Sequence, residues 1–173
     1  MHTRRFLLSA LAYIVVYGTQ IMIIDQIHFP LGGFSIFLIF ALCWAAMSSP
    51  EVGAVAGFGA GVILDIDPAS TGPFGQWMLV LSGVGFGIAF LRYGDDSLRY
   101  SPLSLIVLVA SGVVVSVTAY VLLSFLLGNN IGNAAQLGRT IIGNGLWTLA
   151  VAPFILPVTS RIHRAVFESR EMS

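Results

Sequence analysis

Carboxylates are few in this chain and one of them stands in a pattern. In the stretch "GAVAGFGAGVILDIDPASTGPFGQW", residues 53–77, Gly53, Gly57 and Gly61 recur at every fourth position, and the next step of that spacing falls on Asp65. A carboxylate at the edge of an apolar run costs on the order of a few kcal/mol unless it is solvated or paired. Two roles suit it. It could accept backbone N–H bonds from the turn "DPASTGPFG", which ends on Gly75, or from the start of the next helix, where the dipole favours an anion. It could also touch a partner or ligand at the surface. Asp65, Asp67, Asp25 and His28 carry donor types that suit a divalent cation, yet two loops would have to converge and no ligand spacing is diagnostic, so no metal is expected. The chain holds no Ser/His/Asp or Cys/His arrangement, no phosphate-cradling loop and no paired intramembrane acids. No catalytic residue and no cofactor are therefore expected, and the chain reads as a non-enzyme.

The glycines that lead to Asp65 imply a helix. Positions four apart lie along one inclined ridge, so Gly53, Gly57 and Gly61 make a smooth track on which another backbone can approach closely. Lipid tails are as apolar as leucine, so such close packing holds membrane helices together. Ala56 and Ala60 broaden the track, and Gly83 and Gly87 offer a second small-residue surface that could meet it.

The rest of the chain explains why a membrane is the setting. It is 57% hydrophobic and 9% charged, whereas a soluble domain carries about 25% charged residues and needs them to cover its outside. Apolar stretches lie at about 6–24, 31–47, 52–66, 76–91, 103–127 and 140–159, separated by turns rich in Pro, Gly, Asp and Asn. The first is about 28 Å long as a helix, enough to span the hydrocarbon layer. The polar and apolar alternation of barrel strands is missing. The expectation is an all-α integral membrane protein, a bundle of six transmembrane helices in one domain with a tail at 160–173. A cytoplasmic interfacial helix and a frayed end both remain open for that tail.

Orientation follows from the arginines, which are the chain's only strongly basic residues. With the N-terminus inside, Arg4, Arg5, Arg92, Arg99, Arg161, Arg164 and Arg170 are cytoplasmic and Arg139 alone is outside, the asymmetry that the positive-inside rule requires. Both termini are then cytoplasmic. Trp44, Tyr93 and Tyr100 fall near the inner interface and Trp77 near the outer one. The loops at 25–30, 67–75 and 128–139 leave no room for an extracellular catalytic domain. Gln20, Asn144 and Thr148 suit interhelical hydrogen bonds, with Asn144 between Gly143 and Gly145 marking a close crossing. Pro153 and Pro157 should kink the last helix. Zero formal net charge offers nothing to nucleic acid.

Gly61-x3-Asp65, preceded by Gly57 and Phe58 and followed by a Thr/Gly turn to Gly75 and another apolar segment, resembles the rod shape-determining protein MreD family. The size, the six apolar segments and the arginine-bearing N-terminus resemble that family in outline, while its specific motif covers about 53–91. The turn between Asp65 and Gly75 is slightly longer here. The resemblance implies a non-enzymatic scaffold subunit of the cell-wall elongation machinery in a bacterial plasma membrane. It implies as partners a bitopic MreC and, through it, MreB, the RodA glycosyltransferase and a penicillin-binding transpeptidase. The alternative is a vitamin-binding S-component of an energy-coupling-factor transporter, also a small six-helix protein, whose fold the MreD family resembles. Ala41/Ala45 and Ala56/Ala60 have the Ala-x3-Ala spacing that S-components use to dock, but the first helix does not.

Overall fold

A computed structural model describes residues 2–24, 26, 34–68, 70, 72–94, 101–129 and 133–167. Every described element is helical. Helix α1 (His2–Thr19) passes into one π-helical turn (Gln20–Ile24), and α2 (Ile36–Ala46), α3 (Pro50–Ile66), α4 (Gln76–Gly94), α5 (Pro102–Leu126) and α6 (Ala134–Phe167) follow. The helix starts have local causes. Ser35 and Ser101 cap α2 and α5, their hydroxyl oxygens accepting the Leu38 and Ser104 N–H groups, while proline occupies the first position of α3 and α5, where its missing N–H removes a donor that would have no intrahelical acceptor.

Helix α2 is the centre of the bundle. From Phe37 to Ala46 it is buried on every side, as expected of a helix that is apolar all round, and it touches each of the other five helices. Tyr13 of α1 packs edge-on against Phe37, Phe40 and Trp44, and Tyr17 against Phe37, so α1 and α2 run antiparallel. Gln20 closes this contact: its Oε1 accepts the Ile36 N–H at 2.8 Å. A buried glutamine of α1 thus serves one of the N–H groups that the first turn of α2 cannot satisfy itself.

Four helical segments are long and apolar enough to cross a bilayer: Leu7–Ile24, Gln76–Gly94, Pro102–Leu126 and Leu137–Val166. Their outer faces carry exposed Leu11, Ile14, Phe86, Phe90, Leu122 and Phe154, an apolar surface that suits lipid. The chain is therefore an α-helical membrane protein.

Three expectations change. The last helix does not stop near 159; it continues to Phe167, and Ile162 and Val166 pack on the core. The stretch after 159 is thus part of the bundle up to Phe167. Trp44 is not an interfacial anchor, because its ring is 1% exposed and is held against Tyr13, Phe40 and His163. Asn144 and Thr148 turn back on their own helix, to Thr140 O and Asn144 O. The close crossing there belongs to Gly145, where an added Cβ would lie 2.8 Å from Val114 of α5.

Candidate functional site

Side-chain hydrogen bonds between elements gather at the two ends of one helical hairpin, α3 and α4. The glycine track lies between them. At Gly53 a Cβ would come within 2.7 Å of the Ala89 Cβ and 2.8 Å of the Gly85 carbonyl oxygen; at Gly57 it would strike the Leu81 carbonyl, and at Gly61 the Met78 backbone. Each step of four along α3 meets α4 about one turn earlier, so the two backbones stay in contact over the whole hairpin. The matching surface on α4 is not the expected one. A Cβ at Gly83 or Gly87 would meet nothing within 4 Å, whereas one at Gly85 would strike the Gly53 carbonyl at 2.6 Å. Gly83 and Gly87 lie off the contact line because α4 turns the position between them toward α3.

Asp65 stands at the next step. Its Oδ2 accepts the N–H groups of Gly75 and Met78 at 3.0 and 3.1 Å, and its Oδ1 accepts that of Trp77 at 3.1 Å. These donors belong to the start of α4 and have no acceptor one turn earlier, and the dipole there is positive. One carboxylate at the end of α3 therefore caps α4 across the turn. Gly75 makes this possible with φ +96, a backbone region that an L side chain disfavours. Gln76 then ties α4 to α5, its Nε2 donating to Tyr120 O and to Ser124 Oγ at 2.6 Å each. The ring of Trp77 stacks on Tyr120 with centroids 4.2 Å apart. Asp25 and His28 lie outside the described residues; Asp67 is the residue after α3.

The opposite end is built differently. Arg92, in the last turn of α4, donates Nη1–H to the Ala46 carbonyl at 2.7 Å, serving an acceptor that the end of α2 leaves open. Ser48 donates its hydroxyl to Trp44 O at 2.9 Å and lies 3.3 Å from His163 Nε2. Since the Ser48 proton is directed to Trp44, the imidazole is the donor in this second bond. The His163 ring also meets Trp44 edge-on at 5.0 Å. Around these contacts open two clefts. One, of about 390 Å³, is lined by Ala46, Met47, Ser48, Ser49, Ala89, Arg92 and Tyr93. The other, of about 350 Å³, shares Met47 and Arg92 and adds residues from α5 and α6, among them Ser101, Ser160, His163 and Arg164. Sequence spacing could not find this end, because its residues come from four helices and no two of them form a motif.

No family model, curated protein or solved structure matches the chain. Among the described residues, no three His, Cys, Asp or Glu side chains gather as metal ligands.

Proposed function

We propose that this chain is a non-enzymatic scaffold subunit of a bacterial cell-wall elongation complex, seated in the plasma membrane and acting through an MreC-like bitopic partner. MreB, RodA and a penicillin-binding transpeptidase are reached through that partner. One observation carries the reading: Gly57, Gly61, Asp65 and Gly75, the residues of the stretch that resembles the MreD family, form a single continuous contact between α3 and α4. They are structural residues, which is what a scaffold requires of its most distinctive segment.

The same reading takes six crossings with both termini in the cytoplasm. Helix α3 is about 26 Å long at 1.5 Å per residue and lies along α4 from Gly53 to Gly61. In this reading it counts as a crossing beside α4. Helix α2, enclosed by the others, has 11 residues, fewer than a full span needs, and is taken as the inner part of the second crossing. Arg92, Arg161 and Arg164, together with the start of α1 that bears Arg4 and Arg5, lie at one end of the bundle and Arg139 at the other, so the positive-inside rule places the Arg92 end in the cytoplasm.

Two measurements test the proposal. A tagged full-length chain co-expressed with an MreC-like protein from the same genome recovers that protein from detergent extracts. Recovery without it, together with a small molecule carried through purification, would replace the scaffold by the S-component alternative. For topology, a cysteine at Ser70 reacts with an impermeant thiol reagent on intact spheroplasts and one at Ser49 does not, while the native Cys43 is buried. Labelling at Ser49 from outside would overturn the orientation.

A further inference from the structure

The apolar sides of the bundle differ in height. Helices α3 and α4 lie against each other, and both present large apolar residues outward: Val55 and Phe58 on α3, Leu79, Phe86 and Phe90 on α4. The apolar helix on that side is short. Glu51, exposed on the first turn of α3, and Ile66, its last residue, are about 22 Å apart at 1.5 Å per residue, and Gln76 and Arg92 of α4 are about 24 Å apart. Helix α5 carries no charged residue from Pro102 to Leu126, a length of about 36 Å, and it exposes Leu103, Val107, Val115, Leu122 and Leu126 along the way.

The hairpin has no means of growing taller. Beyond Ile66 the chain leaves the helix and enters the turn that ends at Gly75. Non-helical backbone exposed to hydrocarbon would leave its polar groups unsatisfied, so the turn marks one limit of the apolar layer. At the other end, residues 47–49 are non-helical as well. The Asp65 carboxylate is tied to the N–H groups of Gly75, Trp77 and Met78 and the Arg92 guanidinium to Ala46 O, so neither side chain stretches toward a more distant interface. Tilt fits a long helix such as α5 into a layer of about 30 Å, whereas tilt only lowers a short one.

With α3 and α4 taken as a crossing pair, as in the six-crossing reading, we propose that the outer face of this hairpin is covered by a phospholipid layer thinned by about 6–8 Å. A layer left at full height would bring hydrocarbon onto Glu51 and onto the polar backbone of the turn, a larger cost than compressing lipid. On the α5 side the same bilayer meets enough apolar helix to keep its height. The protein thus sits in an uneven membrane, low along a face two helices wide, and this holds whichever protein the chain assembles with.

The test places one spin label at a time in the full-length Cys43→Ala chain, reconstituted in dioleoyl phosphatidylcholine vesicles. Phe58→Cys and Phe86→Cys put the label midway along α3 and α4, and Val115→Cys puts it midway along α5, all at exposed positions. Collisions with oxygen in the lipid and with a nickel chelate in the water report its depth. Both hairpin labels lie about 3–4 Å shallower than the α5 label, half of the thinning. In vesicles of the shorter dimyristoleoyl lipid the three depths agree, because the whole layer then matches the hairpin. Equal depths in the dioleoyl vesicles would sink the proposal. Cysteines at Ser49 and Ser70 that label from the same side would overturn it by another route, removing the crossing pair on which it stands.

Discussion

The α3–α4 hairpin has polar groups at both ends, and they are spent differently. At the Asp65 end both carboxylate oxygens are engaged by three N–H groups of the next helix, and the Gln76 amide nitrogen is shared between two acceptors on α5. Those groups hold the fold, while the buried Oε1 of Gln76 takes no hydrogen bond. At the Arg92 end the guanidinium donates to Ala46 O and two clefts open beside it. A charged residue in a membrane protein therefore has to be read through its neighbours: the Asp65 carboxylate is occupied by the start of the next helix, whereas Arg92 and Arg164 line a cleft.

Substitutions can break that contrast or sharpen it, and the largest effect belongs to the hairpin interior. G57L and G61L should lower stability by about 3 kcal/mol or more, since a side chain there meets backbone that cannot move aside. G83L and G87L, which face open space, should stay within about 0.5 kcal/mol of the parent. Melting in detergent reads both pairs, and similar losses in all four would refute the assigned contact line. Next in size is D65A, which strands three N–H groups at the start of α4 and should cost about 2–3 kcal/mol. D65N keeps one acceptor oxygen and should cost about 1 kcal/mol. A D65N protein that melts normally but no longer recovers an MreC-like partner would make Asp65 a binding residue after all. G75A should lose about 1 kcal/mol, because the turn requires positive φ and alanine resists it. At the bottom of the scale stands R164Q, with less than about 0.5 kcal/mol expected; a large loss would mean that the Arg92 end is as structural as the other.

Much of the fold was legible because membrane helices announce themselves by length and hydropathy. The track of Gly53, Gly57 and Gly61 was legible too, since removing side chains at one-turn intervals has few purposes other than close approach. What spacing could not supply was the rotation of the partner. Gly83, Gly85 and Gly87 alternate along α4, and only the way α4 lies on α3 selects Gly85. Trp44 misled for a related reason: interfacial tryptophan is a statistical habit, whereas the aromatic cluster around Tyr13 exists only once α1 and α2 meet. The extension of α6 from 159 to Phe167 was hidden because the apolar run ends near Thr159 and arginines follow, so hydropathy marks the edge of a span and not the end of a helix. The Arg92 clefts were hidden most completely, being assembled from the ends of α2, α4, α5 and α6.

The enclosed position of α2 has a consequence for how the molecule is made. When the ribosome has delivered only α1 and α2, the four helices that will later surround α2 do not yet exist. Its surface is apolar all round, so lipid serves as an adequate temporary neighbour, and nothing pulls it out of the bilayer or demands a polar partner. Each later arrival then replaces lipid on one side of α2 by protein. From α2 onward the order of synthesis thus runs from the axis outward, and a charge introduced anywhere between Phe37 and Ala46 would be felt first at insertion, before the four later helices had arrived to tolerate it.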